Sequence, residues 1–103
     1  MSSLPRLAGT ERRILEALSA GGELFGLQLV EQSGGAIKRG TVYVTLGRMQ
    51  DKGYLDSRQE EPAPGAIGLP RRLYRISAFG GRVLAAWRAA DTVFASGEPQ
   101  EAS

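Results

Sequence analysis

Glycines divide the first half of this 103-residue chain into three short segments. The breaks fall at residues 21–22, at residues 34–35 and at Gly53. Glycine ends a helix readily because it adopts the left-handed backbone conformation without a steric penalty. Between the breaks, apolar residues recur at three- and four-residue spacing, which is typical of helices with one buried face. We therefore predict helices over residues 10–19, 25–33 and 40–52.

Each predicted helix carries a short apolar stripe that would face a shared core. Thr10 is a good N-cap for the first helix, and the charge of Glu11 suits the positive end of the helix dipole. The predicted core positions are Ile14, Leu15 and Leu18 in the first helix, Leu27, Leu29 and Val30 in the second, and Val42, Leu46 and Met49 in the third.

The chain changes its pattern after Gly53. Residues 54–61 and 71–76 favour strands, and the segment between them is too rich in proline and glycine to be helical. A last helix begins at Ser77, a good N-cap. The sequence therefore predicts a mainly α fold with a small β hairpin, a winged helix-turn-helix of three helices, a two-stranded wing and a C-terminal helix. Its expected parts are a loose arm over 1–8, the winged-helix domain over 9–76, the last helix over 77–95 and a disordered tail over 96–103.

The composition excludes most catalytic chemistry. The chain has neither cysteine nor histidine, so it lacks the usual zinc ligands, disulfides and Ser–His triads. Glu60 and Glu61 are adjacent on a predicted strand and would point to opposite faces. We expect no enzyme and no cofactor. Without a signal-peptide layout or an apolar run of about 20 residues, we also expect a cytoplasmic protein with no membrane contact.

Basic residues concentrate in the second half of the predicted domain. Residues 38–75 carry eight basic and four acidic side chains, although the whole chain has a net charge of only +2. The third helix would be the recognition helix, which lies in the DNA major groove in such folds. The alternative is that these are ordinary solvated charges. The candidate DNA contacts are Lys38 and Arg39 at the entry to the helix, Thr41, Thr45, Arg48 and Lys52 on the helix, and Arg58, Arg71 and Arg72 on the wing.

Two segments resemble a known family. Residues 40–55, GTVYVTLGRMQDKGYL, are similar to the recognition-helix signature of PadR-like transcriptional regulators. Residues 70–80, PRRLYRISAFG, resemble the second wing strand and the entry to the last helix in the same family, and Gly26 fits its short motif at the second helix. The resemblance implies a dimeric repressor or sensor of the compact branch, whose single C-terminal helix dimerises. It also implies that Thr41 and Tyr43 lie near the DNA backbone.

The last helix carries an apolar face that suggests a contact with a second copy. A domain this small has little surface to cover exposed aromatic side chains, and such a face marks a partner site. The alternative is that Trp87 only caps its own core. The resemblance also implies a pocket for a small aromatic or apolar effector around Trp87. The face consists of Val83, Leu84, Trp87, Ala90 and Phe94.

Two functions stay open on the sequence. The first is a sequence-specific repressor that binds double-stranded DNA at an inverted repeat as a homodimer. The second is a winged-helix module that binds another protein without DNA, which is favoured by the modest net charge and by Val44, where many family members carry a basic residue. Binding to several phosphates weakens steeply with salt, so ionic strength separates the two functions.

Overall fold

A computed structural model describes residues 4–62, 64–65, 68 and 70–96, except for the side chains of residues 94–96. The described part contains four helices and three short strands. In chain order these elements are α1 (Gly9–Gly21), β1 (Leu24–Phe25), α2 (Gly26–Gln32), α3 (Val42–Asp51), β2 (Leu55–Gln59), β3 (Arg72–Ile76) and α4 (Ala78–Ser96). The predicted mainly α winged helix-turn-helix is confirmed.

The helix ends follow from local hydrogen bonds. Helix α1 is capped by Ala8 and not by Thr10, because the Glu11 carboxylate accepts a hydrogen bond from the Ala8 backbone N–H at 2.9 Å. Helix α3 begins two residues later than predicted, after a turn in which the Val42 N–H donates to the Lys38 carbonyl at 3.0 Å. It ends as predicted before Gly53, which has a left-handed φ of 82°.

The sheet has three antiparallel strands in the order β1-β3-β2, one more than predicted. The wing pairs Leu55 with Ile76 and Gln59 with Arg72. The additional strand, β1, pairs Leu24 with Tyr74. Because β1 is only two residues long, it shows no alternation that sequence reasoning could detect. It attaches the wing to the start of α2.

One core joins all four helices to the sheet. The predicted stripes of α1 and α3 are confirmed, since each of their members is at most 1% exposed. In α2, Leu29 is buried, but the prediction for Leu27 is wrong because its side chain is 40% exposed. The two residues lie about 200° apart around the helix, so only one of them faces α1 and α3. Residues of the wing and α4 complete the core with Tyr54, Leu55, Tyr74, Val83 and Leu84.

The described part of the N-terminal arm packs against the domain and is not loose. Leu7 contacts the core. The Arg6 carbonyl accepts a hydrogen bond from the Tyr54 hydroxyl, and the Pro5 carbonyl accepts one from the Trp87 indole, both at 2.8 Å. Beyond the helical backbone of Ser96, the predicted tail lies outside the described residues.

Within the described ranges, no helix combines the length and apolar character that crossing a membrane requires.

The last helix begins as predicted, because the Ser77 hydroxyl accepts a hydrogen bond from the Gly80 N–H at 2.9 Å.

Candidate nucleic-acid interface

Helix α3 buries one face and leaves the opposite face open to solvent. Val42, Leu46 and Met49 are fully buried. Val44, about half a turn away from Val42 around the helix, is 64% exposed, and the neighbouring Tyr43 is 52% exposed. The exposed positions of the helix and its N-cap are Thr41, Tyr43, Val44, Gly47, Arg48, Gln50 and Asp51.

Three exposed cations flank this open face. Lys38 and Arg39 lie in the turn before α3, and Arg48 lies on the helix itself. Within the residues that the structure describes, none of the three forms an ion pair. The turn also lies at the positive end of the helix dipole, which adds to an attraction for anions. These side chains are therefore available to an external phosphate.

Thr45 differs from its predicted place on the exposed face. It is only 8% exposed, and its hydroxyl donates a hydrogen bond to the Thr41 carbonyl at 3.1 Å. Thr45 follows the buried Val42 by three positions and precedes Met49 by four, so it lies on the same side of the helix. A base contact by Thr45 is therefore not supported, whereas Thr41 is exposed.

Lys52 also turns away from the open face. Its ammonium donates a hydrogen bond to the Glu11 carboxylate at 2.8 Å, and Glu11 is 2% exposed. Burial raises the pKa of Glu11, but hydrogen bonds from Lys52 and from the Ala8 N–H outweigh burial, so the pKa lies below its ordinary value. The predicted phosphate contact by Lys52 is thus replaced by an ion pair that joins α1 to the end of α3.

The wing arginines are exposed but mostly have partners in the chain. Arg58 forms two hydrogen bonds of 2.8 Å with the Glu23 carboxylate, and these hold the pKa of Glu23 below its ordinary value. Arg71 pairs with Glu60 at 3.3 Å. Arg72 forms no ion pair among the described residues and donates a hydrogen bond to the Ser57 hydroxyl at 3.0 Å. Of the three predicted wing contacts, Arg72 is therefore the one whose guanidinium could bind an external phosphate without first breaking an ion pair seen in the described residues.

A cleft of about 450 Å³ lies between α2, Tyr43 of α3 and the wing. Its lining consists of residues 25–28, Glu31, Tyr43, Pro70, Arg71 and Arg72. The Arg71 guanidinium lies 4.0 Å from the centre of the Phe25 ring at the base of the wing, which is a favourable cation–π distance. The cleft thus brings the N-terminal part of α3 and the basic wing together on one surface.

The Tyr43 ring lies directly over Gly26. A Cβ atom on Gly26 would lie 2.6 Å from Tyr43 Cε1, so no larger residue fits while the ring keeps this position. Gly26 appeared in the family motif, but its contact with Tyr43 was not predicted. The cation–π contact between Phe25 and Arg71 and the ion pair between Glu11 and Lys52 were also not predicted. Phe25 immediately precedes a helix and faces a basic strand. This combination is the only signal that could have indicated the contact between Phe25 and Arg71.

Only part of the predicted apolar face of α4 is buried in the core of the chain, and the rest is half-buried or lies outside the described residues. Val83 and Leu84 are 1% and 2% exposed within the single chain, so they are core residues and cannot form a contact between copies. Trp87 is half-buried and bonded to Pro5, in agreement with the alternative that it caps its own core. Ala90 is half-buried, and the side chain of Phe94 lies outside the described residues.

The effector pocket stays a prediction. A cavity of about 430 Å³ lies between α1 and α2, where Ala17, Leu29 and Ile37 contribute to its lining. Trp87 lines neither this cavity nor the cleft beside the wing. Neither of these two cavities is therefore the aromatic site that the family resemblance implies.

The comparisons with known proteins agree with this fold. The model of the Transcriptional regulator PadR-like family matches residues 14–86. No curated protein matches the chain. A PadR family transcriptional regulator from Eggerthella lenta DSM 2243 superposes with a TM-score of 0.67 at 27% identity, and the match covers 84% of this chain and 76% of the other.

Two further solved structures share the fold at lower identity. A PadR family transcription regulator from Clostridium difficile R20291 has a TM-score of 0.64 at 22% identity, with 84% of this chain and 94% of the other covered. Bacillus subtilis PadR, solved in complex with operator DNA, has a TM-score of 0.64 at 23% identity, with 75% and 45% covered.

Proposed function

This chain belongs to the Transcriptional regulator PadR-like family, and we propose that it is a cytoplasmic repressor that binds an inverted-repeat DNA operator as a homodimer. The family is one of transcription regulators and not of enzymes. The solved relative from Bacillus subtilis was crystallised with operator DNA. We infer that double-stranded DNA is also the partner of this chain.

The observation that carries the proposal is the open face of α3 with its unpaired cations. Lys38, Arg39 and Arg48 are exposed, and none of them forms an ion pair with a carboxylate among the described residues. Such cations bind phosphates by releasing condensed counterions from DNA. In winged helix-turn-helix proteins a helix in this position enters the major groove. The helix face would contact base edges, while Lys38 and Arg39 would contact the backbone.

The wing extends the proposed interface. Arg72 lies on the cleft beside Tyr43 and has no carboxylate partner among the described residues. We propose that Arg72, Tyr43 and Thr41 contact the sugar-phosphate backbone. Arg58 and Arg71 would have to exchange Glu23 and Glu60 for phosphate, so we expect them to contribute less.

We propose that dimerisation uses the outer side of α4 and not its predicted face. Ala85, Ala89 and Val93 are exposed at four-residue spacing, and Val93 is 65% exposed. Residues four apart lie on one side of a helix, so these three form a narrow apolar stripe that a second copy could cover. A twofold contact would place two recognition helices to read half-sites about one DNA turn apart.

The proposal is tested by selecting genomic fragments with the purified protein and measuring binding to the recovered fragment over a range of salt. For a repressor, addition of the protein should also reduce transcription from a promoter that carries the fragment. Arg48→Ala should lower the slope of log K against log salt by about one. Arg13→Ala removes from α1 an exposed arginine that forms no ion pair among the described residues, and it should leave the slope unchanged.

If no fragment is recovered, or if its binding does not respond to salt, the DNA-binding proposal is wrong and the protein-binding module is favoured. The mass in light scattering tests the dimer separately. Val93→Lys should convert the dimer to a monomer, and a parent protein that is monomeric at all concentrations would refute the dimer.

A further inference from the structure

Gly47 is a helix-interior glycine that the fold of the chain does not require. It lies within α3, and its φ is not among the positive values found at other glycines. A Cβ atom on Gly47 would have no atom within 4 Å. Glycine in a helix interior lowers stability relative to alanine because it loses more backbone freedom on folding. The chain therefore keeps an unfavourable residue at an exposed position.

Two other helical glycines, Gly80 and Gly26, have a packing reason that Gly47 lacks. A Cβ atom on Gly80 would lie 2.1 Å from the Tyr54 carbonyl oxygen, so α4 could not approach the wing with a larger residue there. A Cβ atom on Gly26 would likewise collide with the Tyr43 ring. Gly81 resembles Gly47 in having open space, but it lies in the first turn of α4, away from α3. Packing within the described chain therefore gives no reason for a glycine at position 47, which lies on the proposed DNA-binding face.

Val44 lies one helical turn before Gly47 on the same outer side of α3. It is 64% exposed and is rotated about 200° around the helix from the buried Val42. Val44 and Gly47 therefore lie on the side of α3 that faces away from the core, which Asp51 continues one turn later; we name the pair Val44 and Gly47 the apolar strip. Arg48 lies beside the strip on one edge and Tyr43 on the other.

We propose that the apolar strip reads the 5-methyl group of thymine. This inference rests on the proposed function, because it requires that α3 enters the major groove. There thymine presents a methyl group that no other base carries. Val44 has no hydrogen-bonding atom in its side chain, so van der Waals contact is the one kind of base recognition open to it. The missing side chain at Gly47 lets the helix backbone approach the base edges more closely.

The decisive experiment removes the methyl group from the DNA. The operator is the fragment recovered by the parent protein, with each thymine replaced singly by uracil. At one position or more in each half-site, the parent should bind the uracil operator about fourfold more weakly, which corresponds to one buried methyl group. Val44→Ala should bind the thymine and uracil operators equally, at the affinity of the parent for uracil.

Gly47→Ala provides an independent test, because it should raise the thermal stability of the protein and lower its affinity for the operator. The added methyl group should raise Tm by about 4 to 8 °C, because the helix gains propensity. It should also weaken operator binding by tenfold or more, because it holds the backbone away from the groove. Gly81→Ala is the matched control, since it is also a helical glycine with open space. It should raise Tm and leave binding unchanged.

The outcomes separate this inference from the proposed function. If the parent recovers no DNA, both are wrong. If the parent binds DNA with a strong salt dependence but every uracil operator binds like its thymine counterpart, only the apolar-strip inference is overturned. It is also overturned if Gly47→Ala binds the operator as tightly as Gly81→Ala does.

Discussion

The ion pair between Lys52 and Glu11 predicts that Lys52→Met lowers stability without acting on DNA directly. Methionine keeps the apolar stem of Lys52 and removes its ammonium group, which also lies 5.5 Å from the centre of the Tyr54 ring. Glu11 then retains the hydrogen bond from the Ala8 N–H but loses its single cation partner at hydrogen-bond distance within the described part. A buried carboxylate without its counterion should therefore reduce the free energy of unfolding.

The magnitude follows from the burial of the two groups. Breaking a fully buried pair costs about 3–5 kcal/mol. Here Glu11 is 2% exposed but the Lys52 side chain is 31% exposed, so water screens part of the interaction, and the hydrogen bond from Ala8 remains. We expect a loss of about 1–3 kcal/mol. For a domain of this size, with the usual slope of the free energy of unfolding against urea concentration, the urea midpoint should fall by about 1–2 M.

The pH dependence of this loss has a definite sign. In the parent, the folded-state pKa of Glu11 is lowered, so its stabilising contribution is present above the ordinary value and is lost as the pH falls below it. In Lys52→Met, burial acts without the opposing cation and should raise the pKa, so the carboxylate takes up a proton at higher pH. The deficit of the variant relative to the parent should therefore shrink between pH 7 and pH 4.

A double substitution provides the control. Glu11→Gln combined with Lys52→Met removes both charges while Gln can still accept the hydrogen bond from Ala8. It should be more stable than Lys52→Met alone, because no unpaired charge is left in the core. The reasoning is refuted if the double variant is no more stable than the single one. It is also refuted if Lys52→Met keeps its urea midpoint but lowers the salt slope of DNA binding as Arg48→Ala does.

Three further substitutions test the core, the cleft and the arm. Leu46→Ala should lower the free energy of unfolding in urea by about 2–5 kcal/mol, because Leu46 is fully buried, and a loss below 1 kcal/mol would contradict its place in the core. Gly26→Ala should displace the Tyr43 ring and weaken DNA binding in a mobility-shift titration, yet have no further effect in a Tyr43→Ala background; additive losses would argue against the contact. Trp87→Phe removes the hydrogen bond to the Pro5 carbonyl, so trypsin should cleave after Arg6 faster than in the parent, and equal cleavage rates would show that this bond does not hold the arm.

Much of the helical framework could be predicted from local pattern alone. The stripes of α1 and α3 are confirmed because residues three and four apart share a helix face, whatever the helix later packs against. The C-terminal end of α3 at Gly53 and the N-cap at Ser77 depend on neighbouring backbone groups and were predicted for the same reason. The exposed cations before and on α3 also lie where the pattern placed them.

Residues at the edge of a stripe were harder to place. The three- and four-residue spacing groups Thr41, Thr45, Arg48 and Lys52 on one side of α3, yet Thr45 is buried and Arg48 is exposed. Which part of a helix edge is covered depends on the exact position of the neighbouring elements. Val83 and Leu84 show the same limit, because an apolar face fits a chain's own core and a partner's surface equally well in sequence.

Sequence periodicity by itself determined where helices form and which side of each is apolar, because these properties arise between residues a few positions apart. Tertiary structure alone decided how distant groups pair. Lys52 and Glu11 are 41 positions apart, Trp87 and Pro5 are 82 apart, and β1 becomes a strand only because β3 lies beside it. A charge or a short extended segment carries no mark of its partner, and its role depends on which groups the folded chain brings within a few ångströms.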